Sequence, residues 1–386
     1  MSETSLIANW NYPTRIRIGA GRISELAQAC IDMGIKAPLF VTDPGLAATL
    51  MVGRIIQDLR ASGLDVGLFC QIKANPTGEN VLLGTQAYQI GQHDGVIAFG
   101  GGSALDAAKA IALMVGQERP LWDFEDIGDN WSRVNVAAMA PVIAVPTTAG
   151  TGSEVGRASV ITDTEEEIKK IIFHPNMLPG LVILDPELTV GLPPALTAAT
   201  GMDALSHCLE AFCATYYHPM AEGIAMEGIR LIKENLVRAY QQGNDTTARC
   251  NMLVASAMGA TAFQRGLGAM HALAHPLGAL FDAHHGRLNA VLMPYVLEAN
   301  RSAIEEKIKR LSNFLSISNG FDGFLDWIMQ MRLELKIENT LSELGIDHKQ
   351  VDRLAKMATE DAAAGSNPIP FSQAEYKVIL VKAIGK

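Results

Sequence analysis

Cysteine is scarce in this chain: Cys30, Cys70, Cys208, Cys213 and Cys250 are the only five among 386 residues. An odd number with no Cys-x-x-Cys pair excludes a disulfide framework and a zinc ribbon, so these side chains read as small buried hydrophobes. Cys208 adjoins His207, but neighbouring helix positions point ~100° apart, so the two would face different surroundings. Positive charge is also in deficit. The 31 Lys and Arg against 41 Asp and Glu give a formal charge of −10, and no Lys/Arg-rich block occurs. That removes the electrostatic footprint a nucleic acid or an anionic membrane would need. No apolar run reaches the ~20 residues of a membrane helix; the best one, residues 252–263, stops at Gln264-Arg265. Residues 1–6 lack the basic and apolar segments of a secretory leader. Internal repeats and low-complexity tracts are absent too. The expectation is a cytoplasmic protein with neither nucleic acid nor membrane as partner.

What is present is ample apolar material, 48% hydrophobic against 19% charged residues, enough to offset the entropy of ordering the chain. A single core seldom grows beyond ~100–200 residues, so this length predicts two domains. From residue 14 to about 187, short β-like runs alternate with amphipathic stretches, the pattern of βα units and a parallel sheet. Strands are expected at residues 38–42, 66–70, 95–99, 141–146 and 181–184, with helices at 45–62 and 80–92 between them. After Asp185-Pro186-Glu187-Leu188 the strand signal ends. Residues 195–217, 220–241, 246–263, 303–314, 322–336 and 348–364 all read as helical. The fold class is therefore an α/β nucleotide-binding domain with a Rossmann-like parallel sheet, residues 1–188, followed by an all-α domain, residues 189–386. The break falls near 188–194, where Gly191 and Pro193-Pro194 interrupt regular structure.

Two loops in the first half suit a dinucleotide. The strand at residues 95–99 runs into Gly100-Gly101-Gly102-Ser103-Ala104-Leu105-Asp106, three glycines and then a Ser-x-x-Asp box, with Ser103 as helix cap and Asp106 reaching back. Such a turn lets a phosphate approach backbone N–H groups at the positive end of a helix, and three glycines exceed what a plain turn needs. The second loop, Pro146-Thr147-Thr148-Ala149-Gly150-Thr151-Gly152-Ser153-Glu154, offers several hydroxyl donors over a short arc. Asp43 ends another strand, where its carboxylate could accept from a ribose diol and repel a 2′-phosphate, favouring NAD over NADP; a helix cap before Pro44-Gly45 is the plainer alternative. Gly19-Ala20-Gly21 reads as a turn.

The helical half concentrates metal-binding side chains. Asp203 and His207 are spaced i, i+4 and share a helix face in a segment that looks buried. Four of the nine histidines, His271, His275, His284 and His285, fall within fifteen positions of an alanine-rich stretch with almost no charge. Buried imidazoles need partners, and a metal ion would supply one. Asp203, His207, His271, His275 and His285 are thus five candidate ligands, of which at least one histidine is expected to be free for another role. An N/O set of this kind suits Fe²⁺ or Zn²⁺ better than Ca²⁺ or Mg²⁺.

Taken together, Gly100 to Lys109, Pro146 to Glu154, Leu184-Asp185-Pro186-Glu187-Leu188-Thr189, Gly201-Met202-Asp203, Gly266-Leu267-Gly268, His271-x-x-x-His275-Pro276 and His285-Gly286 resemble the iron-dependent (group III) alcohol dehydrogenase family, of the dehydroquinate-synthase-like fold. The resemblance spans essentially the whole chain. It implies that Asp203, His207, His271 and His285 bind iron, zinc remaining open, while His275 sits beside the nicotinamide and substrate. It further implies that Gly101, Gly102, Ser103, Asp106, Thr147, Thr148 and Ser153 line the cofactor cleft, with Asn75 and Asp43 toward the adenosine side and Lys169 at the ribose. The implied reaction passes a hydride between a primary alcohol or diol, or the matching aldehyde, and NAD(P), in a homodimer or larger homo-oligomer. Two features depart from the family pattern: Phe263-Gln264-Arg265 ahead of the Gly-Leu-Gly turn, and His284 beside His285. A cyclising lyase of the same fold is disfavoured by the few Lys and Arg around the candidate ligands.

Overall fold

The computed structural model describes residues 14–385; residues 1–13, which include the stretch read for a leader, and residue 386 lie outside the described residues. Contacts divide the chain between Gly191 and Leu192 into two compact units. Residues 189–191 go with the first unit rather than with the helical one, for a local reason. Asp185 caps the turn Pro186–Thr189 through the Glu187 N–H, accepts from Gly21 and Ile23, and the Val190 N–H closes on Glu187.

The first unit runs β1 (Arg15–Ile18), α1 (Leu26–Asp32), β2 (Pro38–Val41), α2 (Pro44–Ala47), α3 (Leu50–Ala61), β3 (Gly67–Phe69), α4 (Gly78–Ile90), β4 (Gly95–Gly100), α5 (Gly102–Met114), β5 (Val142–Pro146), β6 (Ala158–Asp163), β7 (Ile168–Phe173) and β8 (Leu181–Leu184). Six strands form a parallel sheet in the order β1-β8-β5-β4-β2-β3. Its inner strands are buried along their whole length, as a parallel sheet covered on both faces requires. Alternate residues, Phe40, Ile97, Phe99, Ile143, Val145 and Ile183, pack with Leu26, Val52 and Leu59 of α1 and α3. The alanine-rich α5 covers β4 and β5 on the unit's other side. The long helix expected at 45–62 is two helices, because Thr49 caps a fresh start at Leu50 by accepting from the Val52 N–H. Three strands escaped the sequence reading. β1 is only four residues long, and the hairpin β6–β7 is hidden by an acidic turn in which Glu167 takes a positive φ.

The second unit is helical: α6 (Pro194–Cys213), α7 (Pro219–Gln241), α8 (Thr246–Ala262), α9 (Ala269–Phe281), α10 (His285–Phe314), α11 (Gly320–Glu334), α12 (Val351–Glu360) and α13 (Gln373–Ile384). Prolines open α6 and α7, where no N–H bond is lost, and Asp245 caps α8 through the Ala248 N–H. α6 is the axis of the unit, buried from Thr197 to Cys213 and packed by α7, α8 and α10. α10 begins well before the expected residue 303; the interior Pro294 and the apolar run around it conceal the continuous helix. α12 ends at Glu360 rather than 364 because Asp361 restarts the chain as a 3₁₀ turn, capping the Ala363 N–H. α13 was not anticipated at all. No helix among the described residues is long and apolar enough to cross a membrane.

Candidate metal centre and cofactor loops

In the helical unit, one face of α6 carries Asp203, His207 and, one turn further, Glu210. Gly286 lets the start of α10 lie directly on this helix: a Cβ there would stand 2.2 Å from the Ala199 carbonyl oxygen. His285 is thereby brought against Asp203, and α9 contributes His271. One donor atom from each of Asp203, His207, His271 and His285 lies within 4.8 Å of the others, and all but His285 are buried. His207 stacks on His271 with ring centroids 4.8 Å apart and meets the edge of Phe263 at 5.2 Å.

The protonation pattern fits a cation. His271 Nδ1 donates to Glu210 Oε2 at 2.6 Å, which directs the Nε2 lone pair into the cluster. Burial alone would push the His271 pKa down, but the Glu210 carboxylate outweighs it and the net shift is upward, a more basic ligand. Glu210 also accepts from the Gly268 and Met270 N–H groups, so the same carboxylate anchors the start of α9. Three imidazole nitrogens and a carboxylate oxygen are a set that Fe²⁺ or Zn²⁺ would accept.

His275 stands apart from the four. Its ring stacks on His285 at 5.6 Å, and its Nδ1 is 2.9 Å from Asp361 Oδ2. His284 is exposed at the N-cap of α10. Arg265, one of the departures from the family pattern, points to the end of α6. It donates to the Phe212 and Tyr216 carbonyls and pairs with Glu222 at 2.6 Å.

In the α/β unit, the residues expected at the cofactor gather at the carboxyl ends of neighbouring strands. The chain passes from β2 out to β3 and back across to β4, a change of direction of the kind that opens a crevice in such sheets. Asp43 follows β2, Gly101, Gly102 and Ser103 follow β4, and Thr147 and Thr148 follow β5. Gly100 has φ +141°, and the Thr147 N–H bonds its carbonyl at 2.9 Å, which joins two of these loops.

The expected capping box is corrected. Gly101, with no side chain to offer, is the N-cap of α5, and Ser103 Oγ donates instead to the Ala74 carbonyl at 2.5 Å. Asp106 does not reach back; it accepts from Ser153 Oγ at 2.5 Å and from the Val160 N–H at 2.9 Å, tying α5 to the second loop and to β6. The reason is the helix start, two residues earlier than the box requires. Asp43 does cap, through the Leu46 N–H at 3.0 Å, with Oδ1 alone. Alternation along β7 separates the two lysines: Lys169 reaches Asn75 Oδ1 at 2.9 Å, while Lys170 is buried against Asp163.

Beneath these loops lie two buried ionisable side chains, Lys109 and Glu154. Lys109 donates to the Ser153 and Ala158 carbonyls, and burial lowers its pKa against the pull of Asp106 and Glu154. Burial raises Glu154 to about 7, and its Oε1 has no partner. A carboxyl raised above its unfolded value binds a proton on folding, so this contribution to stability is complete below about pH 4 and lost as pH rises toward 7. Glu154→Gln should therefore show a smaller drop in urea midpoint between pH 5 and pH 7.5 than the parent chain; an unchanged drop would rule this group out as a source.

Sequence reasoning passed over Glu210, Asn289 and Asp361. Glu210 follows Asp203 by seven positions and His207 by three on one helix, and Asn289 follows His285 by four, so helical spacing could have found both. Asp361 is 86 residues from His275, and no local pattern links them.

The α/β unit is a dinucleotide-type parallel sheet with glycine and hydroxyl loops, and the helical unit gathers an Asp/His₃ cluster that could hold a metal ion. Residues 13–186 match the family described as iron-containing alcohol dehydrogenase, and residues 197–384 match its C-terminal domain. The 4-hydroxybutyrate dehydrogenase of Cupriavidus necator is 39% identical over 383 residues, covering 97% of this chain and 99% of that one. The crystal structure of a 1,3-propanediol oxidoreductase superposes with TM-score 0.92 at 34% identity, covering 98% of this chain and all of that one. Sulfoacetaldehyde reductase from Bifidobacterium kashiwanohense, solved with NAD⁺, gives TM-score 0.90 at 26% identity over 99% of this chain and 100% of that one. The chain belongs to the iron-containing alcohol dehydrogenase family and is an oxidoreductase acting on CH–OH groups.

Proposed function

We propose that this enzyme interconverts a short primary alcohol or diol and its aldehyde with NAD, around one iron ion held by Asp203, His207, His271 and His285. The observation that carries the reading is the convergence of these four donor atoms within 4.8 Å, with Glu210 orienting His271. When bound, iron supplies a Lewis acid for the alcohol or carbonyl oxygen and NAD supplies the hydride acceptor. Zinc would satisfy the same donor set, and iron is preferred on the family's name.

His275, held at Nδ1 by Asp361, carries the alcohol proton at Nε2. The edge-to-face contact of Phe263 with the His207 ring supports the orientation of that ligand. In the cofactor loops, Gly101, Gly102, Thr147 and Thr148 take the pyrophosphate, and Ser103, Asp106 and Ser153 hold those loops together. Lys169 and Asn75 meet a ribose. Asp43, with one oxygen in its cap, offers the other to the adenosine ribose, which supports NAD over NADP. The NAD⁺ in the sulfoacetaldehyde reductase crystal supports the same cofactor.

The substrates for which two relatives are named, 4-hydroxybutyrate and 1,3-propanediol, support a short ω-hydroxylated molecule. Arg265 is engaged by α6 and Glu222, so this loop spares no guanidinium for a carboxylate, which favours the diol. Iron-loaded protein prepared without oxygen should therefore generate NADH from NAD⁺ with 1,3-propanediol, more slowly with 4-hydroxybutyrate. Absence of turnover with every alcohol and aldehyde in such a panel would defeat the proposal. A cytoplasmic location is supported by five cysteines that are all free, and homo-oligomer formation by β1, whose outer edge has no neighbouring strand among the described residues and exposes Ile16 and Ile18.

A further inference from the structure

The candidate ligands surround one polar side chain that coordination does not use. Asn289 lies on α10 one turn beyond His285 and is completely buried. Its Nδ2 stands 2.9 Å from Asp203 Oδ1, 3.2 Å from His285 Nε2 and 3.3 Å from His271 Nε2. Three acceptors thus face two N–H groups, while the amide Oδ1 is buried with no partner. Burying an amide with one end unsatisfied is unfavourable, and an apolar side chain of the same size would avoid that penalty. The cost is borne at the one place where three ligand atoms meet.

The three contacts do not respond alike to an arriving cation. The lone pair of each ring nitrogen would turn to the ion, and its contact with the amide would lapse. A carboxylate oxygen keeps a second lone pair, so the bond to Asp203 persists in both states. We propose that Asn289 is a positioning residue of the metal centre: its amide N–H fixes the Asp203 carboxylate in the ligating orientation and keeps the three ligands converged before the ion binds. The inference rests on the four-ligand reading above. Its physical content is preorganisation: without the amide, Asp203 must be immobilised at the moment of binding, and affinity falls by that amount.

The test uses the full chain stripped of metal by a chelator and titrated with Co²⁺ in competition with a chromogenic chelator. The parent, Asn289→Leu and Asn289→Ala are compared. Leucine preserves volume and removes the donor; alanine removes both. Each variant should bind Co²⁺ about 10–100-fold more weakly, with a visible spectrum shifted from that of the parent because the carboxylate oxygen is no longer held. A space-filling role would instead leave Asn289→Leu at the parent affinity and spectrum and weaken only Asn289→Ala, and that result overturns the proposal. If Asn289→Leu fails to fold, Asn289→Ala decides by its spectrum, since an unshifted one contradicts positioning. A parent chain that binds no divalent ion would overturn the four-ligand reading and this inference with it.

Discussion

His271→Ala protein should contain no bound metal and lose dehydrogenase activity roughly a thousandfold or more, the scale of several kcal/mol of Lewis-acid stabilisation. Of the four clustered side chains, His271 is the most committed. It is 1% exposed, stacks on His207, and has its tautomer set by Glu210. Its removal takes away one donor and the packing that holds a second. Glu210 would still accept from the Gly268 and Met270 N–H groups, so α9 keeps its anchor and the chain should remain folded. The measurement is metal content by elemental analysis beside steady-state rates, with circular dichroism as the folding control. Retention of one ion per chain in the variant would remove His271 from the ligand set.

The opposite pattern is expected of His275→Ala: metal content unchanged, kcat reduced about 10²–10⁴-fold, the range for losing a positioned acid–base group. His275 stands on the same helix as His271, one turn on, yet it is not one of the four converging donors, and its Nδ1 is taken by Asp361. Asp361 uses its other oxygen to cap the Ala363 N–H, so the pair is held by backbone at one end and helix at the other. A ring fixed in this way presents Nε2 alone for proton transfer. Full activity in His275→Ala would end that role, and loss of metal would make His275 a ligand instead.

The site was legible in proportion to how local its signals are. Asp203 and His207 announce themselves by helical spacing, and His271, His275 and His285 by clustering in an uncharged segment. That exactly one of these histidines stands outside the cluster depends on α9 and α10 meeting α6, and that meeting rests on Gly286 and on contacts far apart in sequence. Asp361 came from a segment read as plain helix. In the α/β unit the buried strands were read within a residue or two, because long apolar runs between glycines have few alternatives. β1 and the hairpin β6–β7 were missed since four residues, or an acid-rich turn, carry too little pattern. The capping role assigned to Ser103 failed by two residues of helix register, a distance propensity does not resolve.

The most direct measurement is the metal dependence of catalysis in one preparation. Protein purified without oxygen should carry one divalent ion per chain, lose NAD-linked alcohol oxidation when a chelator removes it, and recover on addition of Fe²⁺. Undiminished alcohol oxidation by the metal-free chain would contradict a catalytic role for Asp203, His207, His271 and His285.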